Sequence, residues 1–165
     1  MTYNVTRKEQ FTAIYQEHYP KVFRLCRGYF NGEEDPANDT VQEIFIKVWQ
    51  NLDSFRNESS ISTWIYRIAV NCCLLYKRKP YLRKEIHLQK MPVVAQEDYD
   101  PVMEERMQNM YRCIGQLDEA GKLIILLVLE GVEYQEIAAV VGISEDTLRV
   151  RIHRIKKTLA NCVRL

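Results

Sequence analysis

Residues 134–159 read YQEIAAVVGISEDTLRVRIHRIKKTL, and this stretch predicts two helices joined by a tight turn. Ile137, Ala138 and Val141 have the spacing of an inner helical face. Gly142 permits a positive φ in the turn, and Ser144 is a good N-cap for the second helix. The inner seam of that second helix consists of Leu148, Ile152, Ile155 and Leu159. This is the helix-turn-helix pattern, whose second helix enters the major groove of DNA.

The second helix of this motif is basic. Residues 147–164 contain six Lys and Arg and no Asp or Glu. Arg149 can donate two hydrogen bonds to a guanine edge, and Val150 can touch a thymine methyl group. Arg151, Arg154 and Lys157 are better placed for phosphates or for the protein surface. A plain three-helix bundle with a basic last helix is the alternative interpretation.

The rest of the chain also has helical periodicity. A first segment, Lys8–Phe30, contains Pro20, which we expect to kink or divide it. A second helix, Pro36–Asn51, is expected to be capped by Asp35. Its predicted buried stripe consists of Val41, Ile44, Phe45, Val48, Trp49 and Leu52. A third helix follows at Ile61–Lys79, with Ser59 or Ser60 as its cap and Trp64 on its buried stripe.

The C-terminal part begins with two further helices. One starts at Asp100-Pro101, and its predicted inward residues are Met103, Met107, Met110, Ile114 and Leu117. Asp118 caps the next, Glu119–Glu130, which should be the centre of a bundle because it is apolar on every side. Tyr81–Tyr99 lacks a period and is predicted to be a linker. We therefore expect an all-α protein of two small domains, residues 8–80 and 102–165, joined by a flexible linker, 81–101.

Charge is arranged in blocks, although 23 Lys and Arg nearly balance 22 Asp and Glu. Tyr76–Lys90 and Thr147–Arg164 are basic, and Gln96–Glu105 between them is acidic. Basic patches in a near-neutral chain are typical of nucleic-acid binding, although Lys and Arg at solvated helix ends give the same pattern. The order of the blocks predicts a compact free protein with its domains in contact and part of its DNA-binding surface covered. Tyr81–Tyr99 would be the hinge on opening.

Composition excludes several classes of function. The longest apolar run, Leu123–Leu129, is far shorter than the about 20 residues that span a bilayer, and Met1–Gln10 has no apolar signal core. We therefore expect a cytoplasmic protein. The five cysteines form no Cys-x-x-Cys pair and are interpreted as small buried hydrophobes rather than disulfide or metal sites. No catalytic or phosphate-binding motif is present, so we expect no enzyme, metal, cofactor or small-molecule substrate.

A second motif lies in the N-terminal part. Residues 39–71 read DTVQEIFIKVWQNLDSFRNESSISTWIYRIAVN. This stretch resembles region 2 of the extracytoplasmic-function (ECF) sigma factors of bacterial RNA polymerase, and Leu117–Leu159 resembles their region 4. The two motifs occur in the same order as in the family, one on each side of the linker. Leu117-Asp118 departs from the usual Leu-Pro, and Glu133 is a poor cap where Ser or Thr is usual.

The resemblance implies a non-catalytic protein that binds the β and β′ subunits of core RNA polymerase and directs promoter-specific initiation. An anti-sigma factor is an implied partner. The residues implied to dock on β′ are Asp39, Gln42 and Glu43. Those implied to meet the −10 element are Phe55, Asn57, Ser59, Ser60, Trp64, Arg67 and Asn71. Those implied to meet the −35 element are Ser144, Thr147, Arg149, Val150, Arg151, His153, Arg154 and Lys157.

Non-functional interpretations remain open for single residues, and two other classes of function remain open for the whole chain. Trp64 could simply belong to the core, and Asp39, Gln42 and Glu43 could be a solvated helix face. A helix-turn-helix regulator without polymerase binding would be expected to dimerise on a two-fold site. An all-α interaction adaptor would have no nucleic-acid role.

Overall fold

The computed structural model describes residues 5–78 and 100–164, and within these ranges the chain is helical with no strand. The helices are α1 Arg7–Tyr29, α2 Glu34–Asn51, α3 Ile61–Arg78, α4 Pro101–Ile114, α5 Glu119–Leu129, α6 Tyr134–Val141 and α7 Glu145–Val163, with a 3₁₀ turn at Leu52–Ser54. We call residues 5–78 the N-terminal half and residues 100–164 the C-terminal half. The predicted linker falls almost wholly on residues 79–99, outside the described residues.

The N-terminal half is a three-helix unit. Thr6 caps α1 in a reciprocal capping box with Glu9. Pro20 lies inside α1 without dividing it, because the buried Val22 and Leu25 hold the following turns against the core. The expected cap at Asp35 is wrong: α2 begins at Glu34, and no side chain caps it. Ser60 Oγ accepts a hydrogen bond from the Thr63 amide at 3.1 Å and thereby caps α3.

Trp49 was predicted to lie on the buried stripe of α2, and this prediction is wrong. Its side chain is 38% exposed, whereas Val41, Ile44 and Val48 are fully buried. The indole packs edge-on against Phe11 at 5.2 Å, and the Arg7 guanidinium lies 4.4 Å above the ring. A helical stripe predicts the direction of a side chain but not how far the neighbouring helix reaches over it.

The C-terminal half is a four-helix unit around α5, as predicted. Six consecutive residues from Lys122 to Leu127 are buried, together with Leu148 and Ile152 of α7. Asp100 caps α4 by accepting a hydrogen bond from the Val102 amide. Met103 was expected to point inward, but it is 52% exposed because it lies in the first turn, before α4 reaches its neighbours.

Two cysteines are joined by a disulfide, which contradicts their interpretation as unbonded core residues. Cys113 of α4 is bonded to Cys162 of α7, with 5.8 Å between the Cα atoms. The spacing of 49 residues gives no sequence signal, because the pairing arises from the packing of two helices far apart in the chain. Cys26, Cys72 and Cys73 are buried free thiols, as predicted.

The two halves pack against each other, which confirms the expected contact between them. α1 packs on α5 and α3 packs on α6, and apolar residues of both halves form one core cluster. Gly28 lies close against the C-terminal half, since a Cβ atom there would be 2.3 Å from Leu126 Cδ2. The expected electrostatic cause stays a prediction, because most of the block Tyr76–Lys90 and the first part of the block Gln96–Glu105 lie outside the described residues. Within those residues, Glu104 of the acidic block pairs with Arg27 of α1 at 3.6 Å, and the basic side chains of α7 are exposed.

Candidate nucleic-acid interface

The turn between α6 and α7 has the geometry that the motif requires. Gly142 has φ +77°, in the left-handed region that glycine enters without a steric penalty. Ser144 Oγ accepts a hydrogen bond from the Thr147 amide at 3.2 Å and caps α7. Leu148 and Ile152 are buried against the rest of the C-terminal half. The opposite side of α7 is therefore free to project from the molecule.

All eight residues predicted to meet the −35 element lie together on this helix and its cap. They are exposed, and they are Ser144, Thr147, Arg149, Val150, Arg151, His153, Arg154 and Lys157. The Arg149 guanidinium already has two neighbours, the Glu145 carboxylate at 2.6 Å and the Tyr134 ring at 5.3 Å. These contacts aim Arg149 toward the N-terminal end of α7, the end that reads bases in helix-turn-helix proteins.

The loop before α3 brings the predicted −10 residues together. Phe55 lies against Trp64, with ring centroids 5.0 Å apart. Trp64 is half-buried and packs on the core, so its part in the core is confirmed, whereas its contact with the −10 strand stays a prediction. Asn57 adopts φ +57°, a left-handed conformation that Asn tolerates better than most residues. The loop is thus anchored at its first residue, bent at its tip and closed by the Ser60 cap.

An open groove of about 450 Å³ runs beside this loop. Phe55, Asn57 and Ile61 line one side of it, and Ile14 and Glu17 of α1 line the other. The remaining predicted −10 residues are the half-buried Ser59, on the loop, and the exposed Arg67 and Asn71, farther along α3. Loop, groove and the exposed face of α3 are together the candidate surface for a single strand.

The predicted polymerase contacts lie apart from both DNA surfaces, on the outer face of α2. Asp39 is exposed, and Gln42 and Glu43 are half-buried at the edge of the helix. Glu43 pairs with Lys47 at 3.3 Å. Ile46 was not among the predicted contacts, although it is 41% exposed on this polar face. An apolar side chain on the polar side of a helix was the signal that could have revealed it.

The contact between the halves contains polar pairs that were not predicted from the sequence. Arg24 of α1 donates two hydrogen bonds of 2.9 Å to the Glu130 carboxylate. Tyr29 donates to Glu119, and Ser60 donates to Glu136 of α6 at 3.1 Å. Ser60 is therefore a predicted −10 residue whose hydroxyl is already occupied by the other half. No local signal predicts such pairs, because their members lie 76–106 positions apart.

Comparison with known families matches both halves. The model of sigma-70 region 2 matches residues 14–81, and the model of sigma-70 region 4 matches residues 107–159. The ECF RNA polymerase sigma-E factor of Escherichia coli K12 is 32% identical over 169 residues, covering 94% of this chain and 87% of the relative. The sigma-E factor of Haemophilus influenzae is 31% identical, with coverages of 93% and 87%. The chain belongs to the ECF sigma factors.

Two solved structures share the fold of this ECF sigma factor. CnrH in complex with the cytosolic domain of CnrY aligns with a TM-score of 0.72 at 21% identity, over 93% of this chain and 87% of the other. The sigma factor RpoE in complex with the anti-sigma factor NepR from Bartonella quintana aligns with a TM-score of 0.66 at 20% identity, over 93% and 98%.

Membership of the family decides the class of function. The protein is a transcription initiation factor that binds core RNA polymerase and promoter DNA, and neither a polymerase-independent regulator nor an adaptor is favoured. Residues 5–78 and 100–164 hold no cluster of three His, Cys, Asp or Glu side chains that could bind a metal. No helix in these ranges has the length and apolar character needed to cross a membrane.

Proposed function

We propose that α7 reads the −35 element, that the Phe55–Ser60 loop and α3 hold the −10 strand, and that the outer face of α2 docks on core polymerase. This proposal rests on one observation. All eight −35 candidates are exposed on α7 and its N-cap, which follow directly after the left-handed turn at Gly142. Arg149 and Val150 read bases in the major groove, and Arg151, Arg154 and Lys157 contact phosphates.

The −10 assignment rests on the groove beside Phe55. A base that leaves the duplex loses its stacking, and an aromatic platform returns about 1–3 kcal/mol per base. Phe55 and Trp64 supply such a platform, and Asn57 and Ser59 supply polar groups for a base edge. Arg67 and Asn71 then follow the strand along the exposed face of α3.

The polymerase assignment rests on the mixed character of the α2 outer face. Asp39, Gln42 and Glu43 share this face with the exposed Ile46, which lies one turn farther along α2, so the face combines polar groups with an apolar side chain. Stable protein interfaces have this composition, because the centre is desolvated and the rim sets orientation.

We also propose the setting in which the protein works. It acts in the cytoplasm, where polymerase and DNA are found, and it has no catalytic activity of its own. An anti-sigma factor is its expected regulator, since the solved relative RpoE is bound to one.

Transcription in vitro tests the proposal. Core polymerase with this protein should give transcripts from fragmented genomic DNA whose 5′ ends share two upstream elements. Arg149→Ala should change the preferred −35 element but not the −10 element. Arg112→Ala is the matched control, because Arg112 is an exposed Arg on α4 that bonds to Asn109 of the same helix and is not part of the DNA-reading helix. Start sites identical to those of core enzyme alone would refute the proposed function.

A further inference from the structure

The disulfide between Cys113 and Cys162 joins α4 to the last turns of α7. The loop that it closes contains α5, α6 and nearly all of α7, so one covalent bond encloses the whole helix-turn-helix. Bonds that close long loops restrict the unfolded chain most strongly. The bond therefore acts on the unit that presents the DNA-reading helix.

The second half of α7 has few other attachments. Within residues 156–164, every side chain except Leu159 and Cys162 is exposed. Leu159 is itself only half-buried, and the last fully buried residue before it is Ile155. The bond to Cys113 is consequently the final anchor of the helix that carries Arg154 and Lys157.

The two sulfur atoms differ in their access to solvent. Cys113 is 1% exposed, whereas Cys162 is half-buried in the last turns of α7. A reagent in solution therefore reaches Cys162 first. The other cysteines are unsuited to exchange, because Cys26, Cys72 and Cys73 are fully buried. Burial raises the pKa of Cys72 to about 11, which keeps that sulfur in the unreactive thiol form.

We propose that Cys113 and Cys162 are a reversible thiol–disulfide pair that fastens the end of the DNA-reading helix, with a low-molecular-weight disulfide as oxidant. The Cys162 thiolate attacks one sulfur of that disulfide, whose bond breaks and releases one thiol. The Cys113 thiolate then attacks Cys162 Sγ in the mixed disulfide and releases the second thiol. Two electrons and two protons pass from the protein to the oxidant, and excess thiol reverses both steps.

The consequence is a change in the order of α7. In the oxidised protein, residues 156–164 are held against α4. In the reduced protein, Ile155 and Leu159 alone retain this part of the helix, so its last turns open more often. The pair itself does not depend on the promoter contacts proposed above.

Peptide mapping and hydrogen exchange on the full chain test the pair. Without reductant, trypsin should release peptides 113–122 and 158–164 as one cross-linked product. Dithiothreitol should separate them, and glutathione disulfide should rejoin them. Amide exchange in residues 156–164 should be about tenfold or more faster in the reduced protein.

Two variants complete the test. Cys162→Ser should exchange at the reduced rate under both conditions while keeping its helicity by circular dichroism. Cys72→Ala, which removes a buried thiol outside the pair, should respond to oxidant as the unmodified chain does. Absence of the cross-linked product after oxidation, or equal exchange rates in the two redox states, would overturn the proposal.

Discussion

Arg149 must exchange partners to read a base. In the free chain its guanidinium is paired with Glu145 at 2.6 Å, four residues earlier on the same helix. Exposed pairs with this spacing contribute about 0.3–0.5 kcal/mol, whereas a bidentate contact with guanine discriminates by about 1–3 kcal/mol. The exchange therefore favours DNA wherever the correct base is present.

Arg149→Ala should relax the sequence preference at one position of the −35 element. Lys157→Ala should instead weaken binding to all promoters and reduce the slope of log affinity against log salt by about one, since it removes one phosphate contact. Selection from a promoter library at two salt concentrations measures both effects. Identical selected sequences and salt slopes for the two variants would contradict this division of roles.

His18 predicts a dependence of stability on pH. The imidazole is 2% exposed, and burial lowers its pKa, while Glu17 raises it and Lys21 lowers it to smaller extents. The unfolded chain therefore binds a proton below about pH 6.5, whereas the folded chain binds it only at lower pH. The stability that neutral His18 contributes is lost as the pH falls through this window.

Replacement of His18 by Leu should accordingly flatten the decline in Tm between pH 7.5 and pH 5. Differential scanning calorimetry at the two pH values provides the measurement. His153→Leu, a change at an exposed histidine of α7, should leave the decline as it is. A decline in His18→Leu equal to that of the unmodified chain would mean that other groups cause it.

The outer face of α2 also has a testable role as a surface. Gln42→Ala together with Glu43→Ala should weaken binding to core polymerase and leave helicity intact, because both side chains lie outside the core. Ile46→Ala should weaken binding further, since it removes the exposed apolar side chain of the α2 outer face. Affinity by fluorescence anisotropy with labelled protein measures the loss.

A matched control for this face exists on α1. Gln16 and Glu17 are the same two residue types at adjacent exposed positions. Gln16→Ala with Glu17→Ala should retain full affinity for core enzyme. Equal losses for the two double variants would show that the effect is one of charge or helix propensity rather than of the α2 face.

The helices were largely predictable because their signals are local. Gly142 and Ser144 set the turn before α7, and Asp118 caps α5, as the sequence predicted. Errors occurred where tertiary packing decides the outcome. The side chain of Trp49 is partly exposed at the edge of α2, and that of Met103 is exposed in the first turn of α4. Both residues nevertheless have the spacing of the apolar face of their helix.

The placement of the candidate site residues was predictable to the same degree, whereas their roles stay predictions. The positions on α7 follow from its register, and Ser60 follows from capping chemistry. The bond from Ser60 to Glu136 and the disulfide from Cys113 to Cys162 could not be foreseen. Each joins residues that only the packing of distant helices brings together.

At the scale of the complete chain, the contact between the halves should respond to packing more than to salt. Gly28→Val would place methyl groups where Leu126 now packs, and overpacking of this kind costs about 1–3 kcal/mol. We expect this variant to keep its helicity and to show a larger radius of gyration by small-angle X-ray scattering. The unmodified chain should stay compact at low and at high salt.

Arg24→Ala is the control for this experiment. The Arg24 side chain is 53% exposed, and its removal takes an ion pair from the 10% exposed Glu130 but leaves the apolar contact between the halves unchanged. The variant should remain compact. An extended form of the unmodified chain at low salt, or a compact form of Gly28→Val, would contradict an interface held by close apolar packing.

If Ser60 contacts the −10 strand, its hydrogen bond to Glu136 makes closure of the chain compete with promoter binding. If the −10 surface is available only in molecules that have separated their halves, the apparent affinity falls by the open fraction. A chain that is closed about 99% of the time would bind DNA about 100-fold more weakly than its open form. Closure would then restrict the capture of a single strand to molecules whose halves have separated, whereas the exposed basic face of α7 could meet the phosphates of duplex DNA in the closed state as well.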